Sequence, residues 1–241
     1  MNAQNLLEQF LGTGAAQSVG TAVTVARDKV ANNGMAGVAG GLAAGGLLGV
    51  LIGNKKMRKK AGKLAGGVVG YGGAAALGAL AYRAYQNWQS GQQPVAAPTA
   101  ASPATTEAPP ADSAFLPANA PASDGRPFEL ALVLAMIAAA NADGHIDAEE
   151  QKRIFERVGA AELGAEDKGF VFDALSKPPS LQDVASLAEG PEQGAEIYLA
   201  SRLSIDTDHP MEQAYLDALA ARLALPEELV AHLEAQVAAT E

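Results

Sequence analysis

Apolar and polar positions along this chain fall into four regimes. Residues 1–33 read as a helical lead, with a short amphipathic turn of helix over 5–11 and a second helical stretch over 15–30. No basic start leads there into a compact apolar core and cleavage site, so a cleavable signal is not expected. Residues 34–53 then run without a charge for about twenty positions, long enough to cross a bilayer core. Their Leu, Ile and Val residues give a gross insertion preference of roughly −2 to −4 kcal/mol. Glycines at 37, 41, 45, 49 and 53 recur every four residues and share one helix face, where a second helix can approach closely. Six basic residues follow between 55 and 63, and a second uncharged run over 64–82 carries the period on through Gly66 and Gly70. Tyr82, Tyr85 and Trp88 stand where an interfacial aromatic belt falls. Residues 34–90 therefore read as a glycine-rich hairpin anchored in a membrane.

The third regime, 91–126, has no hydrophobic period and prolines at 94, 98, 103, 109, 110, 117 and 121. That composition predicts a disordered, extended linker, with Phe115 and Leu116 as an isolated apolar pair. The fourth regime, 127–241, is punctuated into helices. Pro127 suits a first helical turn and Gly159 the end of a second helix. A third spans about 165–175 and stops before Pro178 and Pro179. Ser180 with Asp183 opens a fourth, and Pro191 a fifth that buries Ile197, Leu199, Ala200 and Leu203. A sixth runs to Leu223, and Pro226 opens a seventh with Leu229, Leu233 and Val237 on one stripe. No segment alternates as a strand does. The expected class is all-α, with about seven helices closing one bundle behind the hairpin and linker.

Charge divides along the same lines. Residues 1–90 carry nine Lys and Arg against Glu8 and Asp28, whereas residues 128–241 carry seven against twenty-two acids. An acidic unit of that kind repels phosphates, so nucleic-acid binding is not expected. The basic stretch between 55 and 63 suits anionic lipid, and it faces the cytoplasm if the positive-inside rule holds. With both arms spanning, the acidic unit is then periplasmic; with only the first, it is cytoplasmic. The absence of cysteine excludes thiol catalysis, disulfides and cysteine-ligated zinc. No phosphate-binding loop is present, and His145, His209 and His232 are too scattered for a zinc motif.

Two acidic turns carry the candidate chemistry. The first lies between an apolar helix and an amphipathic one and contains Asn141, Asp143, Gly144, Asp147 and Glu150. Asp147 and Glu150 have capping-box spacing, and Gly144 suits a sharp reversal. The spacing also overlays a calcium-binding EF-hand loop at its third, fifth, ninth and twelfth positions, with Gly144 sixth. The first ligand position falls on Ala139, which has no ligand atom. The second turn holds Asp206, Asp208 and Glu212 in a similar setting, with His209 and Pro210 in place of the glycine. Two such helix–turn–helix units within about 115 residues suggest an internal duplication.

These turns make the chain from about residue 128 onward resemble the TerB-like family, named for bacterial tellurite resistance. The likeness is greatest to its branch of membrane-attached proteins of unassigned function. The resemblance implies an all-helical domain, a bacterial inner-membrane location and an anionic, cation-binding surface. By position that surface would be made by Asp143, Asp147, Glu150, Asp206, Asp208 and Glu212. The expected protein is a non-enzymatic, membrane-attached envelope protein, built as a lead over 1–33, a hairpin over 34–90, a linker over 91–126 and a helical domain over 127–241. Its partners would be membrane lipid, a further copy of itself through the glycine faces, and a divalent cation or a basic protein. All-oxygen ligands favour calcium over magnesium or manganese. Two alternatives remain: a metal-dependent hydrolase, for which no nucleophile or base accompanies the carboxylates, and a soluble, metal-free helical scaffold.

Overall fold

A computed structural model describes residues 1–11, 73–94, 109–142, 158, 163–205 and 210–238. Eight helices have both bounds among the described residues: α1 Ala3–Leu11, α2 Gly73–Gln89, α3 Phe128–Ala140, α4 Ala165–Ser176, α5 Leu181–Ala185, α6 Pro191–Leu203, α7 Pro210–Arg222 and α8 Glu227–Ala238. No strand occurs among the described residues, and the protein is all-α. Of the expected helix that ends at Gly159, only Val158 is described, as a buried helical residue.

The centre is α3, which is apolar on all sides apart from Glu129 and buried from Phe128 to Ala139. Such a helix finds no solvent-facing side and has to be enclosed by others. Its principal neighbour is α6, opened by Pro191 at its first turn and buried from Gln193 to Leu203. The two helices run parallel. Ser201 on α6 lies beside the Ala135 carbonyl of α3 at 3.5 Å, while Glu196, earlier on α6, lies near enough to sense the charge of Glu129, earlier on α3. Helix α5 starts with the expected capping box, in which Ser180 Oγ accepts from the Asp183 N–H at 3.1 Å and Asp183 accepts from the Ser180 N–H at 3.0 Å. Helix α7 buries only Leu216 and Leu219, whereas α8 buries Leu229, Leu233 and Val237 along the expected stripe.

Two helices from before residue 91 complete the enclosure. The amphipathic α1 packs on α3 and α2 through Leu6, Leu7 and Phe10, all fully buried. Its start is tied to α4, where the Met1 ammonium pairs with Glu166 and the Asn2 N–H donates to Asp167 at 3.1 Å. Helix α2 packs on α8 and α6 and buries Leu77, Leu80, Ala81 and Ala84 in the same core. It holds the last half or so of the uncharged run over 64–82; the rest of that run, and all of 34–53, lie outside the described residues. No helix of the described residues is long and apolar enough to cross a membrane.

The expected linker also contributes. Residues 95–108 lie outside the described residues, but 109–126 form a chain of turns seated on the bundle. Phe115 is buried between Tyr82 and Tyr85, with ring centroids 5.5 and 5.4 Å away. Asn119 donates to the carbonyls of Ala111 and Ser113, and Gln193 on α6 donates to the Pro121 carbonyl at 2.9 Å. The prolines exclude helix here, and the carbonyls that no helix uses accept from the segment's own N–H groups, from Asn119 and from Gln193 of α6. The disordered-linker expectation is therefore corrected for 109–126.

Gly78, two four-residue periods beyond Gly70, is the point of closest approach. A Cβ at that position would stand 1.9 Å from the Phe115 carbonyl oxygen, nearer than any real contact. Gly78→Ala forces α2 and the Phe115 turn apart and should destabilise the fold by about 1–3 kcal/mol, the usual cost of overpacking. Urea unfolding of the full chain measures this; an unchanged midpoint would show that α2 does not cross the turn at Gly78.

Candidate functional site

The two acidic turns are rooted at one end of the bundle. Helix α3 ends at Asn141, whose N–H is shared between the carbonyls of Ile137 and Ala138 at 3.2 Å each. Helix α6 ends at Ser204, whose hydroxyl donates back to Ala200 at 2.8 Å. Because α3 and α6 are parallel, their C-terminal ends, and with them the starts of both turns, lie on the same side. The second turn resumes at Pro210, the first residue of α7, and places Glu212 half-buried in that helix's first turn, where a carboxylate is favoured by the helix dipole. Glu212 is the one proposed ligand among the described residues. Asp143, Asp147, Glu150, Asp206 and Asp208 lie outside them.

The root of the second turn is pinned by a polar network. Arg202, almost fully buried, donates to Glu234 on α8 at 2.8 Å and reaches the Ile205 carbonyl at 3.4 Å. Tyr198, one helical turn earlier, donates to the other Glu234 oxygen at 2.8 Å. Burial pushes the Tyr198 phenol up, and the neighbouring Glu234 adds to the rise, so the hydroxyl stays a donor at any ordinary pH. The network therefore fixes α6 against α8, with Tyr198, Arg202 and Glu234 engaged with one another.

A second cluster was not anticipated. Glu196 is completely buried and neither of its oxygens has a hydrogen-bond partner among the described residues. Burial pushes its carboxyl well above the usual carboxylate range, and the charge of Glu129 on α3, itself 6 % exposed, pushes it further. Both carry a sequence signal in hindsight. Glu129 interrupts an otherwise apolar helix, and Glu196 stands four and seven residues before Ala200 and Leu203, on the face marked for burial. His232 on α8 is likewise buried, with no partner for Nδ1 among the described residues. Among the described residues, no group of three or more His, Asp or Glu is placed to hold a metal ion.

The architecture is that of an all-helical protein whose two acidic turns start from one end and whose core holds carboxyl groups. The chain belongs to the family described as protein of unknown function (DUF533), whose model matches residues 37–237. The match starts within the glycine-rich stretch and runs through the proline-rich segment to α8, with α1 outside it. An uncharacterized protein encoded in the ampR 5′ region of Yersinia enterocolitica is 33 % identical over 98 residues, covering 41 % of this chain and 70 % of that protein. No solved structure matches.

The shared end is open to direct measurement, because the chain has no native cysteine. Spin labels on Ala142→Cys and Met211→Cys should lie closer together than the length of α3 or α6, about 20 Å for thirteen residues. A separation exceeding that length would place the turns at opposite ends of the bundle.

Proposed function

We propose that the protein is a non-enzymatic, membrane-attached envelope protein, TerB-like in its helical part, whose acidic turns bind a divalent cation or a basic protein. The parallel pairing of α3 and α6 carries this reading. It brings the starts of two carboxylate-rich turns to one end, where their charges repel unless a cation or a basic surface lies between them. Oxygen-only donors favour calcium. The described polar groups support a binding role over hydrolysis, since Arg202, Tyr198 and Glu234 are engaged with one another.

Attachment rests on the uncharged stretch over 34–53 and the basic residues after it. Helices α1 and α2 pack on the same bundle and on each other, so the chain leaves the bundle after Leu11 and has returned to it by the helix that starts at Gly73. While α2 is docked, only residues 64–72 remain of the second uncharged run. Nine helical residues reach about 14 Å, less than half of a bilayer core of about 30 Å. Residues 73–82 therefore serve either as a core helix or as part of a membrane arm, and not both at once. With α1 and α2 both docked, the two sides of residues 34–53 lie on one side of the membrane, so this reading has that stretch enter the bilayer and return without a single crossing.

Two measurements test this. The full chain should sediment with membranes through a salt wash, and its recovery in the soluble fraction would contradict attachment. Calcium should raise the melting temperature of the full chain in step with occupancy, and Asp143→Ala with Asp206→Ala should abolish the increment. The full chain is required because α1 and α2 are part of the core. No calcium shift at millimolar concentration would leave the basic protein as the occupant.

A further inference from the structure

The buried carboxyl of Glu196 lies directly beneath α2. Its Oε2 is 3.7 Å from the position a Cβ on Gly78 would occupy, and that same position abuts the Phe115 carbonyl. The carboxyl is thus sealed in where α2 crosses the Phe115 turn, without a counter-ion or hydrogen-bond donor among the described residues. An ionised carboxylate in such surroundings is strongly disfavoured, whereas a protonated one is neutral and carries its own donor. If α2 lifts, water reaches the group and ionisation becomes ordinary.

We propose that Glu196 is a proton-binding site that controls the docking of α2: the protonated side chain permits the docked helix, and its ionisation releases it. The docked state holds the proton more tightly than the released state, so the sign follows. Docking is unaffected by pH below the ordinary carboxylate range, where Glu196 is protonated in both states. Above that range it weakens by up to tenfold per pH unit, until the raised docked-state value is passed.

The charge effect at Glu196 comes from Glu129. Of the other groups on elements packed against α6, Glu234 is held by Tyr198 and Arg202, Asp217 on α7 by Gln213, and Asp183 on α5 by Ser180. Arg83 on α2 is half-exposed, Tyr82 and Tyr85 flank Phe115, and none of these contributes to the shift. His232, Glu227 and Glu228 on α8 and Glu212, Tyr215 and Arg222 on α7 are the remaining titratable or charged groups on these helices; none contributes to the shift, and all stay present in the variants used below.

The protein carries its own reporter. Trp88, its only tryptophan, lies on α2 against Tyr85, with centroids 5.3 Å apart. In the full chain, tryptophan emission followed between about pH 5 and about pH 9 should change as α2 leaves the bundle, while the helical circular dichroism is largely kept. Glu196→Gln is neutral at every pH and should abolish the transition, holding α2 docked throughout. Glu129→Gln removes the neighbouring charge and should move the transition to lower pH. The proposal is overturned if the wild type shows no transition, if the transition coincides with loss of the whole helical signal, or if Glu196→Gln retains it. Should Glu196→Gln fail to fold, an unshifted transition in Glu129→Gln overturns it equally.

Discussion

A helix with no polar face cannot sit at a surface, and α3 has none. Twelve consecutive residues, Phe128 to Ala139, are withdrawn from water, so the fold has to supply cover on every side. Helix α6 takes one side, and α4, α5 and α7 take part of the rest. Two described helices from before residue 91 add to this cover. Helix α1 closes a further face with Leu6, Leu7 and Phe10, and α2 closes α6 and α8, which α3 leaves partly uncovered. The demand made by one apolar helix thus draws distant parts of the chain into a single core.

That enclosure also explains the polar groups. Parallel α3 and α6 send both acidic turns out at one end, and Arg202 with Glu234 and Tyr198 anchors the root of the second turn. The same packing traps Glu196 beneath α2, in a position that is comfortable only for a neutral side chain. The starts of the acidic turns at one end of the bundle and the buried acid beneath α2 are the two separate features on which the proposed cation and proton responses rest.

Much of the bundle was legible in the sequence because local chemistry dictates it. Pro191 starts α6, Ser180 with Asp183 caps α5, and the stripe of Leu229, Leu233 and Val237 marks the buried side of α8. The role of α2 was not legible. Uncharged runs of Ala, Gly and Leu satisfy a lipid and a protein interior equally well, and periodicity does not name the apolar solvent. Phe115 was hidden by its proline-rich neighbours, whose carbonyls are satisfied by residues far away in sequence, such as Gln193. Glu196 was hidden because a glutamate is ordinarily taken for a solvated position, although its spacing to Ala200 and Leu203 placed it on the inner face.

Everything depends on α2 being a core helix, and its buried Ala84 offers the most direct measurement. In the full chain, otherwise free of cysteine, Ala84→Cys introduces a single thiol at that position. At mildly acidic pH it should resist a water-soluble thiol reagent until the protein is unfolded, because the side chain faces α6 and α8 across a closed interface. A thiol that reacts as fast in the native protein as in urea would mean that α2 lies away from the bundle, and would contradict both the enclosure of the core and the sealed acid beneath it.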